Sequence, residues 1–523
     1  MHIFFIIIYQ IFLLGLLTDP VLAFSRVGPP HQDFPLLELS KDNKGGRNPI
    51  KLAGGKGEHL NLFFKIDETP DQLIDISLVG NHDNHLQASF YLVPGLLNIG
   101  GEQDIFELLV PLDQAASLRQ DEVFRHNFTL IFIVLKISPH HAVGFKNISL
   151  RFQTKKNTFE QPLQLQVWNF SLPDDLPITI LGNFWPRRDW FARYGIQSEK
   201  EFVQVIKAYL RLMRDYKINA LGNFYPVPVQ ELIQGKSLHD FPSYIELLDN
   251  SLSLGYRFFR FPSLPGAEKI GTADNFFSQH APAFYANLEK FARHRQVLGK
   301  AIVKVWDEPK ENDYPRVAQA YGIIKKAAPG LLTETAGRAP EPMFKNLIDI
   351  WVMFNGYFDK VKLAQAVTQG QKVWLYANSL HPYFRPAISQ RLIGWYVYYS
   401  GCSGYLLWSV NYWFADPWTN PPKRGREDYY RGGTFFYPHP ITGMPLPTLR
   451  LEALRRGWED YQYFSLLKQK MQEGKISRDD FAKIEKQAQD LVGDIKNHKP
   501  NASWQQVEYI RFKMGELLNL NSN

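Results

Sequence analysis

The chain has 523 residues, carries a formal charge of +7 from 59 basic and 52 acidic side chains, and is 14% aromatic with 12 Trp. The basic residues are scattered along it, which argues against nucleic acid as a partner. The single cysteine, Cys402, excludes an intramolecular disulfide and any cysteine-based metal site.

Residues 1–23 read as a cleaved leader, with an apolar stretch over 3–17 and a Val21-Leu22-Ala23 end that suits a signal peptidase. That stretch is shorter than the ~20 residues a bilayer requires, and no later segment is apolar enough to span one. An exported protein, periplasmic or secreted and without a stable membrane span, is expected. Asn-x-Ser/Thr triplets begin at Asn127, Asn147, Asn169 and Asn501 and matter only in a glycosylating host.

Residues 24–175 read as an antiparallel β-sandwich. Short alternating runs at 59–66, 74–79, 87–93, 129–137, 148–154 and 163–169 are separated by polar turns, and helical periodicity is poor there. The two Pro and two Asp of 171–177 mark the exit linker.

Over 176–446 the pattern changes to apolar runs alternating with amphipathic segments, which predicts a parallel sheet. Eight runs occur, at 178–184, 218–224, 256–261, 301–306, 331–335, 348–354, 372–377 and 404–410, with helical candidates at 199–216, 282–294, 315–328, 360–368 and 387–399 between them. That number of β/α units in roughly 260 residues fits a (β/α)8 TIM barrel. Leu-Gly-Asn-Phe recurs at the ends of the first two runs. The segment 447–523 reads as a helical tail packed on the barrel, with helices over 448–471, 477–497 and 503–518 and with solvated charged faces.

A TIM barrel places its chemistry at the C-terminal ends of its strands. The fourth run ends Val305-Trp306-Asp307-Glu308-Pro309. Two adjacent carboxylates repel when both are ionised, so one is held as an acid towards neutrality. Glycosidases commonly pair two carboxylates roughly 5–9 Å apart, and sugars stack on aromatic rings, which this sequence has in abundance. The expected partner after the seventh run is missing: no Asp or Glu occurs between Asp359 and Asp416. Adjacent carboxylates suit substrate assistance instead, in which a sugar's 2-acetamido oxygen attacks the anomeric carbon. Asp307 is then the polarising residue and Glu308 the general acid/base.

The runs KVWDEP (304–309), GYLLWSVNYW (404–413), GGTFFYP (432–438) and LRLEALRRGWEDYQY (449–463) resemble glycoside hydrolase family 123 and its wider relatives. The resemblance covers about 175–470. It implies a retaining β-N-acetylgalactosaminidase with a sandwich before its barrel, a substrate carrying terminal β-linked N-acetylgalactosamine (GalNAc), and substrate-assisted catalysis by an adjacent pair that falls on Asp307 and Glu308.

Further sugar ligands are expected at the strand ends: Asn183, Asn223, Tyr376, Asn378, Asn411, Trp408 and Trp413. The two Trp would form a stacking floor and wall, and Tyr376 would donate to the acetamido oxygen. His381 reads as a surface loop residue and Cys402 as a small buried one. No cofactor or metal is expected: no His cluster has ligand spacing, and there is neither a phosphate-binding glycine loop nor a GxSxG elbow. Two other readings stay open: a conventional glycosidase using Glu308 as acid with Asp416 or another acid as partner, on a sugar without an acetamido group, and a glycan-binding protein without turnover.

Overall fold

The computed structural model describes residues 34–39, 48–81, 85–95, 106–115, 127–272, 275–382, 385–412, 417–418, 433–497 and 502–522. The expected leader, Trp413 and Asp416 lie outside them.

Nine strands build a two-sheet sandwich: β1 Leu36–Leu39, β2 Ile50–Lys56, β3 His59–Ile66, β4 Leu73–Val79, β5 Leu86–Leu92, β6 Val110–Pro111, β7 Thr129–Ile137, β8 Gly144–Thr154 and β9 Thr158–Ser171. One sheet runs β1-β3-β7-β5-β6 and the other β2-β9-β8-β4. The continuous apolar run of β7 has a physical cause, since this strand lies at the centre of its sheet and is buried on both faces. The expected all-antiparallel pairing needs one correction. The edge strands β1 and β2 pair in parallel with β3 and β9.

Eight short parallel strands then close a barrel: β10 Thr179–Gly182, β11 Ala220–Leu221, β12 Phe258–Arg260, β13 Ala301–Val303, β14 Leu332–Gly337, β15 Ile350–Phe354, β16 Lys372–Tyr376 and β17 Gly404–Leu407. Closure is made by β17 against β10, Thr179 facing Gly404 through Gly182 facing Leu407. Leu181, Ile302, Val352, Trp374 and Leu406 fill the interior, so the barrel is packed throughout. Helices α1 Glu199–Asp215, α2 Pro242–Ser253, α3 Phe276–His294, α4 Tyr314–Ala327, α5 Lys360–Thr368 and α6 Ala387–Ser400 lie between strands. Between β14 and β15 there is only a 3-10 turn, Pro342–Phe344.

After β17 comes a small hairpin of β18 Tyr437–Pro438 and β19 Pro445–Leu446, then α7 Leu449–Gln472, α8 Arg478–Val492 and α9 Trp504–Leu520. Helices α6 and α7 cross backbone to backbone: a Cβ on Gly394 would lie 1.9 Å from the Gly457 carbonyl oxygen, and one on Gly457 would lie 2.1 Å from that of Arg391. Only glycine fits either place.

The charged residues of α7 are not solvated, contrary to expectation. Arg450, Glu452, Arg455, Arg456, Glu459 and Asp460 are all buried, because this helix is the wedge between barrel, sandwich and tail. Arg391 of α6 pairs with Asp460 at 2.8 Å and Arg450 with Glu107 of the sandwich at 2.6 Å, while the Glu459 carboxylate accepts a hydrogen bond from Nδ1 of neutral His59 of β3 at 2.7 Å. Buried charges persist when paired and hydrogen-bonded. The run 449–463 that carries part of the family resemblance therefore joins the two layers and has no place in the barrel mouth.

Candidate active site

Past β13 the chain stays attached to β14. Asp307 bridges Ala336, the Glu308 N–H donates to the Ala336 carbonyl at 2.9 Å, and the Thr335 hydroxyl donates to that of Trp306 at 3.2 Å. Glu308 then takes φ +47, a left-handed conformation costing a non-glycine residue about 1–2 kcal/mol. Pro309 follows and disfavours the right-handed helical region at Glu308. In an extended strand adjacent side chains point to opposite faces. The left-handed turn breaks that alternation, and Asp307 and Glu308 line one cavity together.

The cavity measures about 520 Å³ and opens at the C-terminal end of the barrel. The Lys304 ammonium lies 2.6 Å from Asp307 Oδ1 and supplies its counter-charge. Both carboxylates open onto solvent, yet the protein packed behind Glu308 raises its pKa above the ordinary carboxylate range. The Asp307 charge pushes in the same direction, and Lys304 pulls partly back. A carboxyl held towards its acid form is what general acid catalysis asks for. No further carboxylate lines the cavity among the described residues.

Of the residues expected at the strand ends, Asn183, Asn223, Tyr376 and Trp408 line this cavity. The Asn183 amide is committed to the protein: its Nδ2 donates to the Trp408 carbonyl at 2.9 Å, and its Oδ1 accepts from Arg260. The repeated Leu-Gly-Asn-Phe gains a reason here, since a Cβ on Gly222 would fall 1.9 Å from Asn183 Oδ1. Asn378 lies in a neighbouring cavity that Glu308 also borders. Asn411 is fully buried and clamps the Trp185 backbone, accepting from its N–H at 2.8 Å and donating to its carbonyl at 3.1 Å. It holds Trp185, which itself lines the cavity.

His381 is buried, not a surface residue, and its Nε2 is 2.7 Å from the Tyr405 hydroxyl. The Arg450 guanidinium donates to its carbonyl at 2.7 Å, drawing the loop after β16 into the core. Cys402 is buried, and burial pushes its thiol up to about 12.

Sequence reasoning missed Arg260, Glu334, Lys304 and Trp185. Arg260 ends β12, lines the cavity, and pairs through two nitrogens with Glu334 of β14, which is entirely buried. A polar chain thus runs from Glu334 through Arg260 and Asn183 to the backbone of Trp408. The rule of inspecting strand ends would have found Arg260. Lys304 stood inside KVWDEP, unremarked beside the acids. Among the described residues no group of three or more His, Cys, Asp or Glu could hold a metal ion.

A barrel whose mouth presents this carboxylate pair among aromatic and amide side chains is that of a glycoside hydrolase. Residues 267–467 match the glycoside hydrolase 123 catalytic domain, a span that contains the pair. The chain is in this sense glycoside hydrolase family 123-like. Its fold is similar to that of a family 123 glycoside hydrolase from Clostridium perfringens, over 91% of this chain and 95% of that one, with a TM-score of 0.64 and 13% identity. A β-D-glucuronidase from Dictyoglomus thermophilum aligns over 74% of this chain and 68% of its own, with a TM-score of 0.33 and 9% identity. An endo-β-1,4-mannanase from Thermotoga petrophila aligns over 55% and 77%, with a TM-score of 0.33 and 13% identity. No curated protein matches the sequence.

Proposed function

We propose that the chain is a retaining β-N-acetylgalactosaminidase that works by substrate assistance through an oxazoline intermediate. The observation that carries this reading is the pair itself: Asp307 and Glu308 share one cavity, Glu308 is held towards its acid form, and no other lining carboxylate offers a nucleophile or base among the described residues. Glu334, the next acid below, is sequestered by Arg260 and cannot reach a sugar.

In the first step the acetamido carbonyl oxygen attacks the anomeric carbon. The glycosidic bond breaks with its electron pair on the leaving oxygen, which takes the proton of Glu308. Asp307 accepts the acetamido N–H and balances the positive charge of the ring that forms. In the second step the Glu308 carboxylate takes a proton from water, whose oxygen attacks the same carbon on the face the leaving group vacated. The oxazoline C–O bond breaks, the acetamido group is restored, and configuration is retained. Trp408, Tyr376 and Asn223 are the proposed sugar contacts. The apolar stretch over 3–17 reads as an export signal, and on that reading the substrate would be a glycan or glycoconjugate met outside the cytoplasm.

Hydrolysis of aryl β-GalNAc, aryl β-GlcNAc and aryl β-galactoside by wild type, Asp307→Asn and Glu308→Gln tests the reading. Activity on the acetamido sugars should fall on the order of a hundredfold or more in each variant. Equal activity in all three proteins would sink it.

A further inference from the structure

Two of the loops that wall the cavity of Asp307 and Glu308 are held from behind by one guanidinium. Arg450, buried near the start of α7, donates through Nη1 to the His381 carbonyl at 2.7 Å and through Nη2 to the Thr434 carbonyl. His381 closes the 3-10 turn Asn378–Leu380 that follows β16 and Tyr376, its N–H donating to the Asn378 carbonyl at 3.0 Å. Thr434 bridges Asn411, which accepts the Trp185 N–H at 2.8 Å. Its neighbour Gly433 backs Trp408, since a Cβ there would fall 2.6 Å from the indole. Trp185, Tyr376 and Trp408 all line the cavity. Arg450 does not line it and acts on it through the backbone.

The guanidinium is itself oriented from the sandwich. The segment that carries Glu107 is laced to the start of α7: Leu108 bridges Thr448, the Leu109 N–H donates to the Pro447 carbonyl at 2.9 Å, and the Leu449 N–H donates to the Glu107 carbonyl at 2.7 Å. The buried Glu107 carboxylate accepts from Arg450 Nε at 2.6 Å and Nη2 at 3.2 Å, and from the Tyr437 hydroxyl at 2.6 Å. One edge of the planar fork thus faces the sandwich carboxylate, and the rest reaches the two loops. A lysine could keep the charge there but not the fork.

We propose that Glu107 is a positioning residue of the active site: by orienting Arg450 it fixes the two loops that set Tyr376, Trp408 and Trp185 around the carboxylate pair. The sandwich then takes part in catalysis without touching substrate. The catalytic half of the proposal rests on the glycosidase reading of Asp307 and Glu308.

The test compares wild type, Glu107→Gln and Arg450→Lys by hydrogen–deuterium exchange and by kinetics on aryl β-GalNAc, well below the unfolding temperature. Glu107→Gln removes the counter-charge at nearly constant shape, and Arg450→Lys keeps the charge pair while losing the fork. Both variants should speed amide exchange in 377–381 and 408–412 while β7 and β9 exchange as in wild type, and both should lower kcat by about tenfold or more, a larger change than any in KM. A merely structural role would instead speed exchange throughout and leave kcat per folded molecule unchanged, which overturns the proposal. Unmoved exchange in the two loops overturns it as well, and so does local loosening with kcat intact. If Glu107→Gln fails to fold, Arg450→Lys alone decides. A wild type inactive on aryl β-GalNAc would defeat the glycosidase reading, and the exchange pattern would still decide whether Glu107 holds the two loops.

Discussion

Replacing Arg260 by Met removes the cation that neutralises Glu334. The structure places Arg260 at 9% exposure and Glu334 at 0%, so solvent cannot take over the pairing. Breaking a buried pair from one side costs about 3–5 kcal/mol, because the remaining charge is left uncompensated. Replacing both partners by apolar residues of similar volume removes that penalty, so Arg260→Met/Glu334→Leu should regain most of the loss. Activity should not follow. In both proteins Asn183 loses the donor that fixes its Oδ1, and the hold on the Trp408 backbone loosens, so kcat/KM on aryl β-GalNAc should stay at least about tenfold down. Guanidinium unfolding followed by circular dichroism, with kinetics on the same samples, reads both quantities. A single variant within about 1 kcal/mol of wild type would refute the buried-pair argument. A double variant of full activity would refute the positioning role.

The kcat/KM pH profile should carry its basic limb above the ordinary carboxylate range, set by Glu308. Lys304→Met, which removes a charge that lowers this pKa, should move that limb up, and Asp307→Asn should move it down; shifts of the same sign would contradict the assigned geometry. At the α6–α7 crossing, Gly457→Ala should cost about 3 kcal/mol or more, since the new Cβ meets a carbonyl at 2.1 Å, and an unchanged thermal midpoint would show that the helices are not in backbone contact. His59 has its pKa lowered by burial, then by Arg455, from 6.5 to about 4, while Glu459 pulls it back up. The unfolded chain therefore binds a proton that the folded one refuses between those values. Stability should fall by up to about 3 kcal/mol as pH drops from 6.5 to 4, and His59→Gln should flatten that window in thermal scans.

All eight barrel strands were legible because parallel strands buried on both faces read as apolar runs separated by amphipathic helices. The sandwich strands with long apolar faces were legible for a similar reason, whereas β1, β2 and β6 are short or glycine-containing edge strands with little periodic signal. The charges of α7 were misread. A run such as Arg-Arg-Gly-Trp-Glu-Asp looks solvated until the partners 50 to 400 residues away are known, and His59–Glu459 and Arg450–Glu107 are pairings of that kind. The pair Asp307 and Glu308 was legible because strand ends in a barrel are few and acids there are fewer. Their sharing of one cavity was not, since it depends on the left-handed backbone at Glu308.

The central claim is that the substrate's acetamido oxygen, and no protein carboxylate, is the nucleophile beside Asp307 and Glu308. It is met most directly by aryl β-GalNAc substrates whose N-acetyl group carries none, one, two or three fluorines, which weaken that oxygen stepwise without altering the leaving group. Substrate assistance predicts that log kcat/KM declines steadily along the series, by at least tenfold from the first member to the last. A flat series, with the fluorinated sugars cleaved as fast as the parent, would mean that a protein carboxylate or water performs the attack.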